Sequence, residues 1–186
     1  MGAITAADIL FKYSVSAGSA GNATAGSAAT TWQGKYVSTT QWTGGAANDL
    51  FDDITGAENA NSNVDYRCVF VHNNNGANAY QTPVVYISAE TAGGASVAVA
   101  ADPTAASALG SASAQAVTAT SEAAPGTGVT SLSYSAPTTA AAGVSLGASI
   151  GVANVKAFWI RRTAANTAAL SGDGATFAVS GDTGSL

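Results

Sequence analysis

VDYRCVFVHNNNG, residues 64–76, is the stretch whose reading decides the fold. Side chains along a strand point to alternate faces, so Tyr66, Cys68 and Phe70 share one face, with Asp65 and Arg67 on the other. The Asn-rich run that follows tolerates positive φ, which tight connections between antiparallel strands require. A second β-rich run, TPVVYIS (82–88), comes next, with Pro83 near its start, where strands tolerate proline. HNNNGANAYQTPVVYIS therefore predicts a hairpin, with a loop from about Asn73 to Asn78 that exceeds two residues. The same stretch holds the only cysteine, Cys68, and the only histidine, His72.

Outward from it, strand patterns recur at ILFKYSV (9–15), ASVAVAA (95–101), VTSLSYS (129–135), VKAFWIRRT (155–163) and ATFAVSG (175–181). Turn clusters separate them: AGG (92–94), APGTG (124–128) and SGDG (171–174). Short strands with such punctuation predict an all-β fold, an antiparallel β-sandwich of immunoglobulin-like or jelly-roll-like type with long loops. One short helix is expected over AANDLFDDI (46–54), ending before Gly56. SAGSAGNATAGSAATT (16–31) is low in complexity and reads as a linker or as an ordered arm lying on a neighbouring subunit. The domain division that follows is a strand and extended N-terminal arm over 1–31 and a sandwich over 32–186. Residues 103–127 are Ala-rich, but interspersed Ser, Thr and Pro125 favour loops and irregular strands over a helix.

Charged residues make up 9% of the 186-residue chain, against roughly 25% in typical soluble domains. The net charge is −5, with six basic residues of which only Arg161 and Arg162 are adjacent. Neutralising several phosphates takes clustered Lys and Arg, so no nucleic-acid partner is expected. An anionic membrane surface would repel the chain, and no run approaches the ~18 apolar residues of a spanning helix. MGAITAADILFKYS lacks a basic start and a long apolar run, and Asp8 interrupts it, so it does not read as a secretory signal. One cysteine makes no internal disulfide, and with one histidine it makes no structural zinc site. The neutral, small-featured surface suits a protein packed in an array, such as a particle assembled inside a cell.

Residues that carry chemistry are scarce. Four residue steps along a strand set Cys68 and His72 about 13 Å apart, while a catalytic pair needs a separation of about 3 Å. No catalytic residue, cofactor or resident metal is expected. Asp49, Asp52, Asp53 and Glu58 lie close together, with Asp65 following, and oxygen ligands of this kind suit calcium. Their spacing does not match an EF-hand loop, and Asp49 capping the short helix, or a solvated loop, is the preferred reading. Trp159 lies between Phe158 and Ile160, in the core or at an intersubunit seam. Trp32 and Trp42 sit in TTWQGKYVSTTQWTGG and are candidates for binding, with Tyr36 and Tyr66 as further aromatics for a sugar site. Arg161 and Arg162 point to opposite faces of a strand; one is a candidate to pair with a carboxylate across an interface, and the alternative is a solvated edge. The interface candidates are thus Trp32, Trp42, Trp159, Arg161 and Arg162.

LFDDITGAE, VDYRCVFVHN, VKAFWIRRTAANTAA and ATFAVSGDT, in this order, resemble a family of tailed-bacteriophage virion proteins. The shared words are an acidic LFDD-type segment, a YRC-type strand, an aromatic-W-I-R-R-T strand and a final GDT, carried by residues 48–73 and 155–183. The resemblance implies a non-enzymatic virion component. Within that class a capsid decoration (cement) protein fits best: small, β-rich, often trimeric and assembled in the host cytoplasm. Such a protein sits on the outer capsid surface and binds the major capsid protein, bridging capsomers. The alternatives are a tail, baseplate or head-fibre component with a host- or glycan-binding sandwich, a carbohydrate-binding module, and a small hydrolase built on Asp52 or Asp53.

Overall fold

The structure, a computed structural model, describes residues 3–16, 24–117, 128–168 and 170–183. Its strands are β1 (Ile9–Val15), β2 (Tyr36–Gln41), β3 (Val64–Asn73), β4 (Tyr80–Glu90), β5 (Ser96–Ala101), β6 (Ser107–Ala108), β7 (Val144–Ser145), β8 (Ser149–Ile150), β9 (Asn154–Thr163) and β10 (Ala175–Thr183). One α-helix, α1 (Gly56–Ala60), is found among the described residues. The strands form two antiparallel sheets packed as a β-sandwich. The larger runs β2-β1-β3-β9-β5, with β6 also on β9; the smaller runs β10-β4-β7, with β8 also on β4.

β3 and β9 form the centre of the larger sheet, paired from Val64↔Thr163 to His72↔Val155. Both are buried along nearly their whole length, which is why large side chains occupy consecutive positions there. On the inner face Val69, Val71, Val99, Phe158 and Ile160 pack with Val85, Ile87, Leu146 and Ile150 of the smaller sheet and its connections. On the outer face Cys68, Phe70, Val155, Ala157 and Trp159 pack with Ala114, Val117 and Val129, which come from loops. Trp32, Leu109, Leu132 and Tyr134 complete that second cluster. One sheet is therefore buried on both sides, by a second sheet on one and by irregular chain on the other. Gly34 lets the outer layer approach: its φ is +68°, and a Cβ there would lie 2.1 Å from the Gln115 carbonyl oxygen.

The expected hairpin is not one. β3 and β4 belong to different sheets, and residues 74–79 carry the chain across. The Asn73 side-chain amide donates to the carbonyls of Asn78 (2.9 Å), Ile150 (3.0 Å) and Gly151 (3.1 Å). The Asn75 carboxamide oxygen accepts from the amides of Ala77 (2.9 Å) and Asn78 (2.8 Å). The asparagines make a turn, but they fasten it to the β8–β9 connection. β4 pairs instead with β10, from the far end of the sequence. A register irregularity there sets Thr82 and Pro83 against Gly181, so the proline costs the ladder little. A Cβ on Gly181 would lie 2.7 Å from the Gln81 carbonyl oxygen.

Residues 46–54 are not helical either, for a reason given with the site below. Residues 129–135, read as a strand, make a single bridge, Val99↔Ser135. The Gln115 side chain takes the amide (2.9 Å) and carbonyl (2.9 Å) of Thr130, which removes them from any ladder. β1 is an internal strand between β2 and β3, so the described part of residues 1–31 is built into the sandwich. Thr31 is wholly buried and joins two strands where β1 leaves β3. Its carbonyl accepts from the Cys68 amide (2.6 Å) and the Ser14 hydroxyl (2.7 Å). Its hydroxyl donates to the Cys68 carbonyl (2.5 Å) and accepts from the Ser14 amide (3.0 Å). Residues 17–23 of the expected arm, and 118–127 of the Ala-rich stretch, lie outside the described residues.

Candidate functional site

Arg67 on β3 and Arg162 on β9 hold the loop that sequence reading made a helix. Arg162 donates to the Asp65 carboxylate from Nε (3.2 Å) and Nη2 (2.6 Å), and its Nη1 donates to the Asp52 carbonyl. Arg67 donates from Nε to the Leu50 carbonyl (2.7 Å) and from Nη1 to the Tyr66 carbonyl (3.0 Å). Asp52 Oδ1 lies 3.3 Å from Arg162 Nη2 and 3.8 Å from Arg67 Nη2. Each guanidinium sits 4.7 Å from the Phe51 ring centroid. The Leu50 carbonyl that a helix would offer to residue 54 is thus taken by a side chain, and the loop stays open. The helix forms one turn later. Thr55 Oγ1 accepts from the Glu58 amide (3.2 Å), and Glu58 Oε2 accepts from the Thr55 amide (2.7 Å), a capping box. The Thr55 amide and hydroxyl hold the Glu58 carboxyl below its usual range. Asp49, expected as the cap, instead offers its carbonyl to the Tyr13 hydroxyl (2.6 Å).

A cleft of about 1130 Å³ opens beside this loop, walled also by residues 89–97 and 170–177. Asp52, Asp53, Glu90 and Asp173 line it; with Asp182 they are the exposed charged residues among those described. Glu90 accepts from the Val97 amide (2.8 Å) and Asp173 from the Ala95 amide (2.7 Å). Asp53 makes no hydrogen bond or ion pair with the described residues. Of the calcium candidates, Asp52 is turned to the arginines and Glu58 to its cap. Among the described residues no group of three or more His, Cys, Asp or Glu could hold a metal ion.

Cys68 and His72 both face the outer layer. Cys68 is fully buried. Burial pushes its thiol well above the ordinary range, and the Asp102 charge adds to this, which removes it as a nucleophile. His72 adjoins the Asn-rich turn, yet it is only 4% exposed. Both its ring nitrogens are buried without a partner among the described residues. Burial pushes it down to about 4, helped by the Lys12 charge, so the ring is neutral near pH 7.

Three of the five interface candidates are committed inside the chain. Trp159 is fully buried, and its indole N–H donates to Asp102 Oδ2 (2.7 Å). Trp42 lies between Phe11 (5.6 Å between centroids) and Phe177 (6.0 Å). Arg162 has its carboxylates. Trp32 and Arg161 remain half-buried. Trp32 donates to the Ala29 carbonyl (3.0 Å). Arg161 lies with its guanidinium carbon 4.9 Å from the Tyr134 ring centroid, and Tyr134 is 5.8 Å from Tyr66. Arg161 Nε and the Tyr134 hydroxyl are both buried without a partner among the described residues. Sequence reading missed Asp102 and Tyr134. The signal for Asp102 was its place between an apolar strand and Pro103, where its carboxylate accepts from the Thr104 amide (2.8 Å) as an Asx turn. For Tyr134 the alternation in VTSLSYS was the signal, since it does put Leu132 and Tyr134 in one cluster.

Comparison of the chain with protein-family models, with curated proteins and with solved structures gave no match. Among the described residues no helix is long and apolar enough to cross a membrane.

Proposed function

We propose that this protein is a non-enzymatic structural component of a tailed-phage virion, a decoration or cement protein on the outer head surface. It works as a homo-oligomer bound to the major capsid protein. The observation that carries the reading is the distribution of charge. All six basic side chains are buried or half-buried, and every exposed charge among the described residues is a carboxylate. Such a surface has no footprint for nucleic acid, which suits the outside of a head filled with DNA. The remaining exposed positions are mostly Ala, Gly, Ser, Thr and Asn, and small side chains let neighbouring backbones approach closely. Repetition over a lattice turns weak single contacts into collective strength. The order of the LFDD, YRC, WIRRT and GDT words supports the same class.

The test uses heads from phage that lack the protein. Purified protein is added back and copies per head are counted by quantitative mass spectrometry, while release of DNA on heating is followed by dye fluorescence. The reading expects saturable binding at hundreds of copies and a higher release temperature. Binding at a few copies, confined to the tail, would replace it with a tail, baseplate or head-fibre role. No binding to any part of the particle would remove it.

A further inference from the structure

We infer that Arg161, with Tyr66 and Tyr134, is a binding site for a carboxylate supplied by a second copy of this chain, and that Asp53 supplies it. Arg161 lies opposite Tyr66 on β3 and Ala98 on β5. Its guanidinium rests on Tyr134 and meets no carboxylate among the described residues. Arg161 Nε and the Tyr134 hydroxyl beside it find no partner among the described residues. A guanidinium is a planar fork that matches a carboxylate in two-point contact. Lys12 and Lys35 are also half-buried, but an ammonium is a point charge, and Lys35 already lies 5.1 Å from the Tyr36 ring centroid.

The occupant follows from charge complementarity. This chain exposes carboxylates and no basic side chain. Of the exposed carboxylates among the described residues, Asp52, Glu90, Asp173 and Asp182 have internal partners, which leaves Asp53. Arg161 projects from the outer face of β9, whereas Asp53 lies on the cleft that Arg162 lines from the inner face. The two surfaces differ, so the contact is head-to-tail and closes in a ring, or it is used twice about a twofold axis.

The inference extends the homo-oligomer reading, and its test is done without phage particles, so either can fail alone. Sedimentation velocity of the purified full chain is recorded over a wide range of concentration. Wild type is expected to associate, more weakly as salt is raised. Arg161→Glu and Asp53→Arg are each expected to weaken association by more than tenfold, and the double variant to recover to within a few-fold of wild type. Circular dichroism checks folding; if Arg161→Glu is unfolded, Arg161→Gln replaces it as a single variant, and the charge-reversed double variant is not made. A monomeric wild type, single variants that associate as wild type does, or a double variant as weak as the singles would overturn the proposal.

Discussion

Arg162 points into the sandwich and is met by Asp65 and Asp52; Arg161, one residue earlier on β9, points outward and rests on Tyr134 with no counterion among the described residues. The difference comes from what closes each face. The inner face is covered by a second sheet, and the Arg162 side chain, 10% exposed where that face meets the cleft, has its partners beside it. The outer face is covered by loops, which leave Arg161 half-buried and able to keep part of its hydration. Burial of a charge on this protein is therefore settled by the covering layer and not by the strand that carries it.

The sharpest way to break that contrast is to remove the inner cation. Arg162→Met leaves the Asp65 carboxylate, 7% exposed, without its main partner and is expected to cost about 3–5 kcal/mol in urea denaturation. A loss below about 1 kcal/mol would mean that Asp65 keeps enough hydration without Arg162, and the two faces would then differ little.

A second prediction concerns the outer face, where His72 lies between Leu10 and Val155 on the neighbouring strands with Lys12 nearby. Its folded value is pushed down to about 4, below the ordinary value near 6.5. The unfolded chain therefore binds the extra proton first, and stability is complete above about pH 6.5 and falls as pH drops towards 4. The loss attributable to His72 is expected to reach about 3 kcal/mol. It is read as the pH-dependent difference between wild type and His72→Leu, which cancels the carboxylates common to both. Parallel stability curves for the two would show that the ring has found a partner or water.

The smallest effect is expected at Arg161 itself. Arg161→Gln should change the stability of the monomer by less than about 0.5–1 kcal/mol, because the residue is only half-buried and has no counterion among the described residues. A loss as large as that of Arg162→Met, measured in the same urea titration, would show that the Tyr134 contact is a structural brace.

The strands that were legible, β1, β3, β4, β5, β9 and β10, carry runs of β-branched or aromatic residues long enough to be read alone. β2, YVSTTQ, was hidden because its Ser and Thr serve neighbours: the Ser38 hydroxyl donates to the Thr40 carbonyl (3.1 Å), and the Thr40 hydroxyl accepts from the Gly26 amide (3.1 Å). The hairpin was misread because asparagine chemistry fixes a turn without saying which strand lies beyond it. The helix at 46–54 was misread because its fate depends on Arg67 and Arg162, which lie far along the chain. Cys68 and His72 lie four positions apart on one extended strand, while the burial of His72 without a partner among the described residues was not visible from its place beside a polar turn.

The sequence alone determined the class of the fold, through alternating and continuous strand patterns, and the scarcity of reactive groups, through composition. Both are properties of single segments or of sums over the chain. Only the tertiary structure decided which strands pair, which of two adjacent arginines is neutralised, and that Thr31 ties Ser14 to Cys68. Those outcomes rest on contacts between residues tens of positions apart, and such contacts leave no periodicity in the local pattern.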